Sequence, residues 1–279
     1  MPLLAAELKD GTKVLHAEAG RSKFMKYFFK GEVSLATYGR FLVSLYQVYN
    51  ALEQALDEHR ENAQLALLYF PRELSRKAAL EQDLEFFNGP QWREMIQTIT
   101  PAQRAYIDAI QRCASSPTPE LLAAHAYVRY LGDLSGGQVL AKRLQKFNDL
   151  PEDQGVAFYH FPLIEDNDMF KEMFRKRLNQ IEVDDTLREQ IIQEAKDTFL
   201  RNIDMFCEFD SELEGTSMTA EEQVENLVDL EREKAALRQG LQSNVSGANQ
   251  EELTAMQTSF LANVWSSLST AVGLKSTAS

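Results

Sequence analysis

Residues 118–147 read TPELLAAHAYVRYLGDLSGGQVLAKRLQKF. Apolar residues recur there at helical spacing, as Leu121, Leu122, Ala126, Val128 and Leu131, and Thr118-Pro119 has the form of an N-cap followed by proline in the first turn. One helix is therefore expected from Thr118 to about Phe147. Three glycines, Gly132, Gly136 and Gly137, fall inside it within six residues. Each disfavours a helix interior by about 1 kcal/mol relative to alanine, so the backbone is being kept bare for a purpose. Close helix–helix packing, a kink, or a ligand lying on the backbone would each serve. The carboxylate of Asp133, in the middle of the run, suits a dry helix contact poorly and a ligand site better.

The rest of the chain is of the same kind. Only 13 of 279 residues are glycine and 8 are proline. Helical spacing fits residues 12–30, 34–58, 71–87, 101–114, 167–181 and 185–213, with no convincing two-residue alternation anywhere. The fold expected is all-α, a single-domain helical bundle. Between Ser211 and Glu252 lie ten acidic and three basic residues, and aromatic residues thin out after Phe209. That shift divides the chain into a folded domain, 1–214, and an appendage, 215–279. In the appendage, 219–239 and 250–271 have helical spacing. Leu253 to Leu274 carries no charge, but nine of its 22 residues are Ser, Thr, Asn or Gln. An amphipathic helix lying on a membrane or a partner fits that stretch better than a true span.

Several classes of function are excluded. A net charge of -13 argues against wholesale nucleic-acid binding. Cys113 and Cys207 form no CxxC or CxxCH pattern, so structural zinc and covalent haem lack support, and both cysteines read as free thiols of a reducing compartment. The N-terminus lacks a signal or transit pattern and reads as cytoplasmic. Leu134-Ser135-Gly136-Gly137-Gln138 spells the signature peptide of ABC-type ATPases, but no GxxxxGK[ST] loop accompanies it. Asp133 also spoils a GxSxG elbow at Ser135. The residues three before His16, His59, His125 and His160 are Lys13, Leu56, Leu122 and Ala157, which rules out the paired ExxH of a di-iron bundle.

A metal would therefore have one isolated protein ligand, as in haem on a single axial histidine. His16 is the best placed, because Lys9, Lys13 and His16 follow i, i+4, i+7 and put two cations beside an imidazole. A solvated surface histidine is the alternative. His59, in Asp57-Glu58-His59-Arg60, is expected to face solvent, and His125 to be a satisfied core histidine. Lys171 and Arg175, at i, i+4, could clamp one carboxylate or form a solvated face. Tyr127, Arg129 and Tyr130 stand one to two turns before the glycines as polar handles near a cavity.

Residues 124–140 (AHAYVRYLGDLSGGQVL), Tyr69-Phe70-Pro71 with 78–84 (AALEQDL), and the segment from Glu194 to Phe206 together resemble the biliverdin-producing haem oxygenases. The resemblance covers about 6–214. It implies oxidative cleavage of haem b, at once cofactor and substrate, at the α-meso carbon to biliverdin, ferrous iron and carbon monoxide. It also implies dioxygen and an electron donor, either an NADPH-dependent flavoprotein reductase or a ferredoxin. His16 matches the proximal ligand, Lys9, Tyr127, Lys171 and Arg175 the propionate contacts, and Asp133 the distal carboxylate. Gly132, Gly136 and Gly137 match the glycines that let the distal helix lie on the haem, with Tyr49 and Asn202 in its hydrogen-bond network. Many eukaryotic members carry a C-terminal membrane anchor, so the resemblance allows a place on the cytosolic face of the endoplasmic reticulum. At Gly20, one turn after His16, the family commonly has a glutamate, and this chain has none.

Overall fold

In a computed structural model, residues 3–151 and 154–213 are described. They contain helices and no strand, as expected. The helices are α1 (Leu4–Gly20), α2 (Lys23–Lys30), α3 (Leu35–Glu58), α4 (Pro71–Leu74), α5 (Lys77–Asn88), α6 (Trp92–Met95), α7 (Pro101–Ser115), α8 (Leu122–Gly132), α9 (Gln138–Asn148), α10 (Asn167–Leu178) and α11 (Asp185–Cys207). A five-residue π turn, Asp133–Gly137, joins α8 to α9. Together they make one helical domain. None of these helices is long and apolar enough to cross a membrane. The helices expected at 219–239 and 250–271 lie outside the described residues.

α3 is the central element. The Ser34 hydroxyl opens it by accepting from Thr37 N–H at 3.1 Å, and Leu42, Val48, Tyr49 and Leu52 along it are fully buried. Full burial of one such aliphatic side chain is worth about 1.5–3 kcal/mol, so this one helix organises much of the core. α7, packed on α3, begins with a complete capping box between Thr100 and Gln103, with Pro101 in its first turn. Asp166 and Asp184 cap α10 and α11 by accepting from Met169 N–H at 3.0 Å and Leu187 N–H at 2.7 Å.

The structure departs from the expected helices where a distant residue interrupts a local pattern. The helix expected at 12–30 begins at Leu4 and stops after Gly20, because the Ser22 hydroxyl accepts from Met25 N–H and starts α2. The expected helix 71–87 breaks at Ser75. There the Glu53 carboxylate, reaching over from α3, accepts the N–H groups of Arg76 and Lys77 and caps α5. Thr118 does not cap through its side chain; a 3-10 turn over Pro119–Leu121 precedes α8. α10 and α11 end earlier than expected, at Leu178 and Cys207. His59 does not face solvent: it is half-buried, with Nε2 2.9 Å from the Ala114 carbonyl at the end of α7.

A second distant carboxylate fixes the turn that supports the π segment. Asp83 on α5 is fully buried and accepts the N–H groups of Ala157 and Phe158 at 2.9 and 2.7 Å. Burial outweighs those two bonds and pushes its carboxyl up to about 6. The folded protein thus holds this proton more tightly than an unfolded chain, whose aspartates titrate near 3.9. The stabilisation is complete below that value and is lost as pH rises through about 6. A urea-unfolding series should lose on the order of 2–3 kcal/mol from this group between pH 4 and 7, and Asp83→Asn should remove that part of the slope. An unchanged slope in the variant would assign it to other groups.

Candidate active site

The site is built around a buried cation. Arg129, near the end of α8, donates from Nε to the Tyr49 hydroxyl at 3.2 Å and from Nη1 to Asn202 Oδ1 at 2.7 Å. Its Nη2 stands 3.9 Å from Asp133 Oδ1, and its guanidinium lies 5.0 Å from the centre of the Tyr49 ring. The Tyr49 hydroxyl donates to Asp133 Oδ2. Tyr49, Asp133 and Asn202, drawn from α3, the π turn and α11, are therefore joined through Arg129. Sequence reasoning named Arg129 only as a polar handle; its place four residues before Asp133 was the available signal.

Burial acts to discharge Arg129, but Tyr49 and Asp133 outweigh it and hold the guanidinium more firmly protonated than usual. Burial likewise pushes the Asp133 carboxyl above its ordinary range, with Arg129 and the Tyr49 hydroxyl pulling back. Asp133 is thus a carboxylate kept next to a cation in a place from which water is largely excluded.

The π turn sorts the glycines. A side-chain carbon added at Gly132 or Gly136 would meet nothing within 4 Å, and both residues are exposed. One added at Gly137 would stand 3.1 Å from the Tyr159 ring. Gly132 and Gly136 therefore form a bare outward face, whereas Gly137 admits Tyr159 of the turn that Asp83 holds. Gln138, which sequence reasoning missed, ties these parts together by donating to the carbonyls of Asp133 at 3.1 Å and Tyr159 at 2.8 Å. Such π insertions are uncommon in helices and concentrate at functional sites.

The remaining candidates come from α1, α8 and α10. α10 contacts both α1 and the π turn. Lys171 reaches Ser135 Oγ at 3.2 Å and pairs with Asp168 at 2.7 Å, while Arg175 is exposed one turn further on. Tyr127 is half-buried, and burial raises its hydroxyl above the usual range, with Arg175 and Asp10 as its charged neighbours. Lys9, Lys13 and His16 are all exposed on α1, and the His16 imidazole packs edge-on against Phe199 of α11, 5.7 Å between centres at 80°. His125 is the buried, satisfied histidine expected, with Thr198 Oγ1 at 3.2 Å and Glu194 Oε1 at 3.0 Å. His160 is exposed; its carbonyl accepts from Arg76.

These residues fit a flat, metal-bearing dianion. The exposed His16 imidazole is free of steric cover and would suit a metal donor, and the bare Gly132/Gly136 face leaves room that a side chain would fill. Lys9, Lys171 and Arg175 supply cations for carboxylates.

Comparison with known proteins agrees. The Heme oxygenase family model matches residues 3–208. Heme oxygenase 1 of Homo sapiens is 46% identical over 206 residues, 74% of this chain and 71% of the relative. Heme oxygenase 1 of Synechocystis is 42% identical over 210 residues, 75% and 86% of the two chains. The crystal structure of the Synechocystis protein in complex with heme superposes with a TM-score of 0.72 at 42% identity, covering 76% of this chain and 94% of that one. The Leptospira interrogans Heme Oxygenase structure gives 0.71 at 41% identity, covering 74% and 100%.

The glycines yield a stability test. Gly137→Ala must displace Tyr159 and should lower unfolding stability by about 1–3 kcal/mol. Gly136→Ala meets open space and should leave stability unchanged or raise it by up to about 1 kcal/mol. Equal urea midpoints for the two variants would contradict this sorting.

Proposed function

The chain belongs to the heme oxygenase family and is an oxygen-incorporating, haem-degrading enzyme, and on that premise we propose which residues carry the reaction and where the ring opens. The observation that carries the assignment is the outward Gly132/Gly136 face set against the buried Asp133–Tyr49–Arg129–Asn202 network. Haem b, as substrate and prosthetic group together, supplies the redox-active iron and the ring carbon to be oxidised, with dioxygen as oxidant.

His16 would hold the haem iron, a role that needs a neutral imidazole. Its edge-on contact with Phe199 restrains the ring, since Gly20 brings no carboxylate to it. Gly132 and Gly136, bare and outward-facing, would let backbone alone approach the bound ring. Asp133 Oδ2 is occupied by the Tyr49 hydroxyl, so Oδ1 is the atom that holds a water and relays a proton toward the oxygen side. Arg129 pulls against the burial that disfavours the charged form of that carboxyl, and Asn202 keeps Arg129 in place. Lys9, Tyr127, Lys171 and Arg175 bind the propionates. Held there, the propionates would set which edge of the ring faces Asp133, and so favour opening at the α-meso carbon to biliverdin, ferrous iron and carbon monoxide.

The charge distribution supports the partners. Cations concentrate at the end of α10, where Arg175, Lys176 and Arg177 follow Lys171, in a chain of net charge -13. Such a local basic rim suits an acidic electron donor, either an NADPH-dependent flavoprotein reductase or a ferredoxin. Residues 1–214 carry the catalytic part. The uncharged, amphipathic pattern of 253–274 supports attachment to a membrane surface, with the enzyme on its cytoplasmic side.

The deciding experiment adds hemin to the protein and then ascorbate in air. The Soret band should give way to biliverdin absorption; a Soret band that persists would mean haem binding without turnover. His16→Ala should lose the histidine-ligated spectrum, and retention of that spectrum with full turnover would remove the axial role. Asp133→Ala should bind haem yet form biliverdin at least about a hundredfold more slowly, the low end of the range typical of a positioned proton-transfer group. Reversing the charge at Lys171 and Arg175 together should yield biliverdin isomers other than α, and an unchanged product would remove the clamp.

A further inference from the structure

Three helices bring a thiol, an imidazole and a carboxylate together outside the Arg129 network. Cys113 lies near the end of α7, His125 near the start of α8 and Glu194 within α11. Cys113 Sγ is 3.7 Å from His125 Nε2, which is 3.0 Å from Glu194 Oε1, and all three donor atoms lie within 4.8 Å of one another. The proposed reaction uses none of them.

Sulfur and carboxylate oxygen thus converge on the same ring nitrogen. In a tetrahedral site, bonds of about 2.3 Å to sulfur and about 2.0–2.1 Å to nitrogen or oxygen put neighbouring donor atoms roughly 3.3–3.6 Å apart. The observed 3.7 and 3.0 Å bracket that range. From this convergence we propose that Cys113, His125 and Glu194 form a second metal site, separate from the haem iron, that takes one divalent ion of the zinc class.

The surroundings are suited to it. Thr198 Oγ1 stands 3.2 Å from His125 Nδ1, and a hydroxyl can either donate to that nitrogen or accept from it. When Nε2 binds the ion, its proton passes to Nδ1 and Thr198 becomes the acceptor, the outer partner that ligating histidines commonly have. The thiol releases one proton to solvent, and the thiolate and the carboxylate together balance the dication. Thiolate with imidazole selects zinc-class ions over calcium or magnesium. Arg201, 2.9 Å from Glu194 Oε1, orients the carboxylate and is the cation with which a metal competes. Glu194 is the partly exposed member and provides the way in, since Cys113 and His125 are buried.

The placement gives the ion a task. His125 and Thr198 each lie four residues before Arg129 and Asn202, on α8 and α11 respectively. A metal there would brace the two helices one turn from the Arg129–Asn202 hydrogen bond.

The test titrates the full chain, before haem is added, with Co2+ as a coloured stand-in for Zn2+. One equivalent should produce thiolate-to-cobalt charge-transfer absorption and, with a water as fourth ligand beside the three protein donors, the strong visible bands of four-coordinate cobalt, both abolished by Zn2+. Cys113→Ser should remove the charge-transfer band, and Cys207→Ser should leave it unchanged. Zn2+ should raise the unfolding midpoint of the parent protein but not of Cys113→Ser. Glu194→Gln, which retains the thiol and the imidazole, should weaken cobalt binding by roughly tenfold or more. No charge-transfer band at saturating Co2+, a band that follows Cys207, or undiminished affinity in Glu194→Gln would each overturn the proposal.

Discussion

Everything around the site depends on keeping one guanidinium charged where water is largely excluded. A buried ion with one partner removed destabilises a protein by about 3–5 kcal/mol, so Arg129 tolerates little change among its neighbours. Those neighbours come from three separate parts of the chain, and satisfying them fixes how α3, α8 and α11 rotate against one another. Once α8 is set, the wider π turn carries the following residues out of α-helical register. Asp133, four residues after Arg129, points inward to the cation, while Gly132 at the end of α8 and Gly136 within the π turn are left outside. One electrostatic requirement thus decides both where the site's carboxylate lies and which backbone is bare.

The support for that arrangement is also electrostatic, one shell further out. Asp83 fastens the Ala157–Tyr159 turn, Tyr159 fills the place that Gly137 vacates, and Gln138 joins turn to π segment. Opposite them, Lys171 on α10 reaches the Ser135 hydroxyl of the same segment. The π turn, a conformation with little intrinsic preference in its favour, is thereby held from both sides.

What could be read from the sequence follows the range of the interactions involved. Ser34 and Thr100-Pro101 act within three residues, and the helices they start lie within a residue of the expected bounds. Glu53 capping α5 acts across 23 positions of the chain, and no local pattern announces the break it makes. Asp133 stood out because a carboxylate is odd among helical glycines. Arg129 was legible only as a polar handle near a cavity, because its partners lie far apart in the chain and are seen together only in space. The glycine run was legible as a site, but only three-dimensional contact separates Gly137, which faces Tyr159, from the two that face outward. His16 had spacing in its favour and little else, and the family resemblance did the rest.

Gly20 has a different meaning in space than in the sequence. No atom lies within 4 Å of where its side chain would begin, and its backbone has none of the left-handed geometry that demands glycine. Nothing in the packing prescribes this residue, so the position is a free design variable one helical turn from the imidazole proposed to hold the iron. Acidic, amide or apolar side chains could be installed there in turn to grade the donor strength of His16, with the scaffold itself held constant.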